Sequence, residues 1–575
     1  MSKLFRYLKP YRVSIVLVLV FVLLQALAEL YLPTLMADIV DKGVVQGDIP
    51  YIMQVGVLML LVTVGGMICS IVVSYCSAKV SLGFSKTLRS KVFSHVENFS
   101  LQEFDKIGTA SLITRTTNDI TQVQQVLVMM LRMMIMAPMM CIGGLIMAVL
   151  QDAKLSMVFI VAIPVLAVVI FLIVRKGMPL FRAMQVKLDQ LNRVLREGLT
   201  GIRVVRAFNR TEHEKRRFDQ ANLDLTDTAM KVNQLMAAMM PIMMLLFNFS
   251  TIAIVWFGSI RIDNGEMQIG ALMAFIQYAT LILMSLMMAS MMFIMVPRAS
   301  VSATRINEVL ETIPDIEDGN EVKQPAQKKG VVVFEDVSFH YPGAEKPALS
   351  NISFQARPGE VTAIIGGTGS GKSTLVNLIP RFYDVDQGSI QIDGMDVREM
   401  SQKELRAKIG FVPQKAVLFS GTIAENIRYG KEDATDKEVK HAAEVAQAED
   451  FITEMKDGYD AVIAQGGNNV SGGQKQRLSI ARALVRKPAI YIFDDSFSAL
   501  DFKTDARLRA ALKEETTAST LLIVAQRVST VIDADQIIVL DEGKIAGIGN
   551  HQDLMETCTV YREIVSSQLS EEEIA

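Results

Sequence analysis

The segment Gly366-Gly367-Thr368-Gly369-Ser370-Gly371-Lys372-Ser373 follows the apolar run Val361–Ile365 and precedes Thr374-Leu375, where a helix is expected to begin. Glycines at this density let successive backbone N–H groups wrap phosphate oxygens, and the helix N-terminus adds positive potential. Lys372 would reach the β- and γ-phosphates, and the Ser373 hydroxyl would bind Mg²⁺. Taken alone, the pattern says only that a nucleoside triphosphate is handled. Four further segments sharpen it: Phe411-Val412-Pro413-Gln414, Ser471-Gly472-Gly473-Gln474, Ser498-Ala499-Leu500-Asp501, and the run Ile490-Tyr491-Ile492-Phe493 ending on Asp494 and Asp495.

The elements that must position these residues fall into two very different parts. Of 575 residues, 50% are hydrophobic and 21% charged, and the apolar excess lies before Pro297. Six stretches there are long enough to cross a bilayer, near 13–37, 54–80, 126–150, 155–175, 236–261 and 269–296. Lys and Arg concentrate in the N-terminal segment and in 82–125 and 176–235, so both termini are expected on the cytoplasmic side. Those two long stretches are rich in helix formers, with apolar residues at helical spacing such as Leu191, Val194, Leu195 and Leu199. They are expected to continue the membrane helices outward as two hairpins, turning near Leu101–Ile107 and near Asn209–Phe218. The basic start (Lys3, Arg6, Lys9, Arg12) has no small-residue cleavage site after it and reads as the lead-in to a retained first helix.

Around Pro314–Lys329 the composition turns polar, which marks a linker. Beyond it, apolar runs such as Val331–Phe334, Val361–Ile365, Ile490–Phe493 and Thr520–Val524 alternate with helical segments, as in an α/β nucleotide-binding fold. The expected organisation is an all-α membrane domain over 1–313, a linker over 314–330 and an α/β P-loop domain over 331–575. Net charge is −3, from 58 basic and 61 acidic residues, with no basic stripe to engage nucleic acid. The four cysteines (Cys69, Cys76, Cys141, Cys558) have neither metal nor disulfide spacing.

Six spans followed by one cassette, with these motifs in this order, resemble the ABC exporters over the whole chain. The resemblance implies ATP and Mg²⁺ as ligands. Tyr341 would stack on adenine, residues Gly366 to Thr374 would hold the phosphates, and Ser373, Gln414 and Asp494 would hold the metal. It also implies head-to-tail pairing of two cassettes, so that Ser471, Gly472, Gly473 and Gln474 complete the partner's ATP site. Ser498–Asp501 would line the seam.

Two positions depart from the family pattern. Where the family carries a glutamate that orients the attacking water, this chain has Asp495. Where it carries a histidine, this chain has Gln526, in Ala525-Gln526-Arg527. Aspartate is one methylene shorter, and glutamine cannot carry a proton or a positive charge. In this respect the chain resembles the degenerate-site subunit of bacterial heterodimeric multidrug exporters. That resemblance implies a homologous partner with a consensus site, a plasma-membrane location, and efflux of amphipathic drugs or lipid-like compounds. A lipid flippase of the same architecture and a symmetric homodimer are the alternatives. Val470 replaces the usual leucine, and Gln465 stands where a glutamate is common.

The membrane part says less about its cargo. Thirty-four methionines cluster at 129–140, 236–243 and 284–295, and flexible thioethers suit either a promiscuous cavity or plain helix packing. Glu29, one turn after Gln25, is an intramembrane acid and the candidate substrate contact.

Overall fold

The structure, a computed structural model, describes residues 3–318 and 330–568; most of the predicted linker, 319–329, lies outside the described residues. The chain divides into two units. One comprises Met1–Glu97 with Ala110–Thr312, the other Asn98–Thr109 with Ile313–Ala575.

In the first unit, α1 (Arg12–Asp38), α2 (Ile49–Val96), α4 (Thr109–Thr114) running into α5 (Ile120–Gln151), α6 (Met157–Thr200), α8 (Thr211–Asp263) and α9 (Ile269–Glu311) supply six helices apolar enough to span a membrane. The 53-residue α8 would extend about 80 Å, far beyond a hydrocarbon core of about 30 Å. Exposed apolar residues surround these helices, as lipid-facing surfaces require. Several hydroxyls inside them donate to the carbonyl one turn back, Thr63 to Met59, Ser250 to Leu246 and Thr280 to Ile276, which satisfies those donors within their own helices. A core of Ala26, Leu30, Phe159, Ile254, Phe275 and Tyr278 joins α1, α6, α8 and α9, with Phe159 and Phe275 stacked at 5.2 Å. Tyr278 donates to the Leu30 carbonyl at 3.0 Å.

The short loops after α5 and α8 are tied together. Arg261 meets Asp152 at 2.8 Å and Glu266 at 2.6 Å, and Asp152 is only 8% exposed. Arg261→Met strands that carboxylate, so a loss of about 3 kcal/mol is expected, read as a lower thermal-unfolding midpoint. An unchanged midpoint would mean the pair is solvated and contributes nothing.

The turn between α6 and α8 begins earlier than expected. The bend falls at Gly201 and at Phe208–Arg210, either side of α7 (Ile202–Ala207), meeting the expected Asn209–Phe218 only at its first residues. Gly201 ends α6, and Asn209 takes the left-handed conformation at φ 51°, which asparagine tolerates. Polar residues from Thr211 onward are already helical.

The second unit is α/β. Strands β1 (Val332–Phe339), β2 (Leu349–Ala356), β4 (Gln387–Ile392) and β5 (Met395–Asp396) form an antiparallel sheet in the order β2-β1-β4-β5. The larger sheet uses β3 (Val361–Gly366), β6 (Ile409–Val412), β9 (Ile490–Asp494), β10 (Thr520–Val524), β11 (Gln536–Asp541) and β12 (Lys544–Gly549). Its order is β12-β11-β3-β10-β9-β6, with only β12 antiparallel. β9 and β10 are buried along their whole length, which is why they read as unbroken apolar runs rather than alternating ones. The pair β7 (Gly421–Thr422) and β8 (Val462–Ile463) stands apart. Helices α10 (Lys372–Leu378), α11 (Gln402–Ala407), α12 (Ile423–Arg428), α13 (Asp436–Val445), α14 (Glu449–Glu454), α15 (Gly472–Leu484), α16 (Phe502–Glu515), α17 (Val528–Val531), α18 (His551–Thr557) and α19 (Thr559–Gln568) complete it.

Helix α3 (Leu101–Ile107) belongs to this unit although it lies far upstream in sequence. Ser100 and Glu103 form a capping box at its start, and Glu103, 4% exposed, also accepts from the Asp315 amide at 3.2 Å.

Candidate nucleotide site

The sheet order explains which side chains meet. In open parallel sheets, ligands bind beyond the carboxyl ends of the strands. Here β3, β10, β9 and β6 are neighbours, and each ends at one of the motifs. The loop 366–373 follows β3, Gln526 follows β10, Asp494 and Asp495 end β9, and Gln414 follows β6. Asp495 is therefore flanked by the two glutamines. Its Oδ2 accepts from Gln526 Nε2 at 2.7 Å and from Gln414 Nε2 at 3.1 Å.

These residues line one cavity of about 390 Å³, together with Tyr341, Thr368, Gly369, Lys372, Ser373 and Thr374. Gly371 adopts φ 99°, and a Cβ there would approach Leu349 Cδ2 to 2.8 Å and the Ala348 carbonyl to 2.9 Å, so glycine is required on two counts. Lys372 donates to the carbonyls of Gly366 and Gly367 at 2.8 and 2.7 Å, folded back along its own loop. Ser373 Oγ donates to Asp494 Oδ1 at 3.0 Å. The Tyr341 hydroxyl pairs with Thr374 Oγ1 at 3.1 Å, and its ring meets Phe339 and Tyr383 edge-on.

Burial dominates the electrostatics of the cavity floor. It pushes the Lys372 ammonium below the ordinary lysine range, against the pull of Asp495 and Asp494. Burial likewise raises the Asp494 carboxyl, with the Ser373 hydrogen bond and Lys372 opposing it and Asp495 adding to it. A desolvated cation beside two acids is poised for a polyanion accompanied by a divalent metal. Mg²⁺ is held by one or two carboxylates, phosphate oxygens and water. Ser373, Gln414 and Asp494 around one cavity fit that demand, and among the described residues no cluster of three His, Cys, Asp or Glu offers an alternative. The bound metal would neutralise phosphate charge and polarise the bond to be broken.

Similarity to known proteins extends over both parts of the chain. The family model described as "ABC transporter transmembrane region" matches residues 15–286, and that described as "ABC transporter" matches residues 349–498. An ABC transporter ATP-binding protein of Mycobacterium tuberculosis is 45% identical over 567 residues, 98% of this chain and 97% of that protein. This chain belongs to the ABC transporter family. The ATP-binding protein YfiB of Bacillus subtilis is 41% identical over 572 residues, covering 100% of this chain and 99% of its own. An ATP-dependent lipid A-core flippase of Vibrio vulnificus is 32% identical over 572 residues, 99% of this chain and 98% of that protein. A solved bacterial Atm1-family ABC exporter with ATP bound superposes with a TM-score of 0.82 at 27% identity, covering 97% of this chain and 99% of that one. The architecture is that of an ABC exporter half-transporter, a six-helix membrane domain followed by an ATP-binding domain.

Not every candidate residue joins the cavity of this exporter. Ser471–Gln474 do not line it. They start α15, where Ser471 Oγ accepts from the Gln474 amide at 3.3 Å and the Gln474 side chain accepts from the Ser471 amide at 2.8 Å. Gln25 donates to Glu29 Oε1 at 3.0 Å on α1, away from the nucleotide chemistry. Sequence reasoning missed Gln568, which reaches the loop carrying Gln526, and Arg527, which donates to the Ser498 carbonyl at 3.2 Å. Nothing local in the C-terminal helix marks Gln568, because its partners lie some 40 residues upstream.

Proposed function

We propose that this chain is one half of a heterodimeric ABC exporter whose own ATP site binds nucleotide and hydrolyses it slowly. Tyr341 stacks on adenine, Gly366 to Thr374 hold the phosphates, and Ser373, Gln414 and Asp494 hold Mg²⁺. The signature Ser471–Gln474 completes the catalytic site of a homologous partner. The observation that carries the reading is the state of Asp495. Its carboxylate is one methylene shorter than glutamate, and one oxygen is occupied by both Gln414 and Gln526. A misplacement of about 1 Å costs on the order of 100-fold in rate, and a carboxylate already holding two donors is a weaker acceptor for a water proton.

The substrate class follows from the membrane part. Amphipathic drugs or lipid-like compounds fit six apolar helices that carry the polar pair Gln25 and Glu29 and an abundance of methionine. The location is the plasma membrane, with both termini cytoplasmic. Lipid translocation is the second reading, favoured by relatives that are lipid A-core flippases at about the 30% identity level.

The chain expressed alone in proteoliposomes is expected to show little ATPase activity or transport. Co-purification from its native membrane should recover a second, homologous subunit. Robust turnover from the pure homodimer would overturn the pairing, and labelled-lipid translocation without drug flux would select the flippase reading.

A further inference from the structure

The loop Ala525-Gln526-Arg527 carries a residue of the nucleotide site yet receives little support from its own side chains. It leads into the four-residue helix α17, whose first amide belongs to Val528. The N-cap position is Arg527, which makes no side-chain cap and is donor-only by chemistry. An amide at a helix start needs an acceptor from elsewhere. Gln568, in the last turn of α19, supplies it: its Oε1 accepts from the Val528 amide at 2.8 Å. The same carboxamide donates through Nε2 to the Gln526 carbonyl, also at 2.8 Å. One planar group therefore grips the backbone on both sides of Arg527.

Two contacts from a rigid carboxamide fix rotation as well as position. The helix that presents it is itself well anchored, since Tyr561 and Val565 are fully buried and His551 Nδ1 lies 2.9 Å from the Tyr561 hydroxyl. On the other side of the loop, the Ala525 amide donates to the Ile364 carbonyl at 3.1 Å, and Gln526 reaches Asp495. The loop is thus held between the sheet and α19. Gln568 meets no residue that lines the cavity through a side chain; it acts on the Gln526 backbone.

We infer that Gln568 is a positioning residue of the ATP site, a two-point clamp from α19 that sets where the Gln526 carboxamide points. This takes Gln526, whose Nε2 is a hydrogen-bond donor lining the nucleotide cavity, as a donor to the γ-phosphate, and it is independent of whether the site is degenerate. With the clamp in place, Gln526 is presented to the third phosphate; without it, the loop loses both the cap of α17 and its fixed orientation. The consequence is selective. Contacts to adenine and to the first two phosphates come from Tyr341 and the 366–374 segment, so ADP should be indifferent to the clamp.

The test uses the full-length exporter in lipid nanodiscs, with AMP-PNP as the non-hydrolysable triphosphate and ADP as the reference. Q568A should accelerate hydrogen exchange in the peptide containing the Val528 amide. It should also weaken AMP-PNP binding about tenfold while leaving ADP within about twofold. In a Q526A background Q568A should have no further effect on AMP-PNP. Q568E separates the two contacts, because it still accepts from Val528 but repels the Gln526 carbonyl. The amide should stay protected while AMP-PNP affinity falls. Unchanged AMP-PNP affinity in Q568A, or equal weakening of AMP-PNP and ADP, would overturn the inference. If Q526A itself leaves the AMP-PNP to ADP ratio intact, the reading of Gln526 fails instead, and the exchange data report on the clamp alone.

Discussion

Asp495→Glu combined with Gln526→His is expected to raise ATP hydrolysis at this chain's own site by about 100-fold. The added methylene carries the carboxylate about 1 Å further toward the attacking water, and displacements of that size change rates on this scale. The second substitution removes one of the two carboxamides that share Asp495 Oδ2 and installs a group that can carry a proton. The side effects run the other way. Residue 495 sits at φ 47°, a conformation aspartate tolerates better than longer side chains, so a stability loss of about 1 kcal/mol should accompany the gain. A rate increase with a slightly lower melting point cannot then be credited to better folding. Vanadate trapping of photoreactive nucleotide on this chain, with the partner's site disabled, makes the measurement. No gain in trapping would mean that another component, such as the partner's signature, limits the site.

Gly472→Asp is expected to abolish substrate-stimulated turnover, a loss of at least about 100-fold, whereas Lys372→Ala should chiefly reduce nucleotide retention on this chain. The structure makes this comparison cleaner than the sequence alone allowed. A Cβ at Gly472 would meet nothing within 4 Å, so the aspartate damages no packing inside the chain. The capping box of α15, formed by Ser471 and Gln474, is untouched. Ser471→Ala, by contrast, removes a cap contributing about 1 kcal/mol and mixes a folding defect with a catalytic one. Turnover lost at unchanged melting temperature in the Gly472 variant points to a γ-phosphate bound from another subunit. Equal loss from both variants would favour two equivalent sites, and a larger loss from Lys372→Ala would reverse the assignment.

Much of the site was legible because its parts are local. The 366–373 loop needs a strand before it and a helix after it, and both are visible as an apolar run and a change of period. The six spans are legible for the same reason, since length and hydrophobicity alone define them. What was not legible depends on strand order. Sequence places Asp495 and Gln526 just after two expected strands and gives Gln414 only a motif, and it takes the order β10-β9-β6 to put the acid between two amides. The turn between α6 and α8 was expected to run too far downstream, because polar residues after Thr211 resemble a loop in composition while continuing a helix in fact. Gln568 was invisible, as any long-range side-chain-to-backbone contact must be without the fold.

The membership of α3 in the nucleotide-binding unit sets a timetable for biogenesis. Residues 98–109 leave the ribosome roughly 200 residues before Ile313, the start of the rest of their unit. At about 5–20 residues per second, that segment waits on the order of 10–40 s before the rest of its unit begins to be made. During the delay its start has local contacts such as the Ser100–Glu103 box, and Glu103 cannot yet accept the Asp315 amide. The unit can therefore add this helix only after a long stretch of unrelated chain has been made. A fragment beginning at Ile313 lacks one helix of its own unit, so supplying residues 98–109 in the same polypeptide is expected to raise its folding yield.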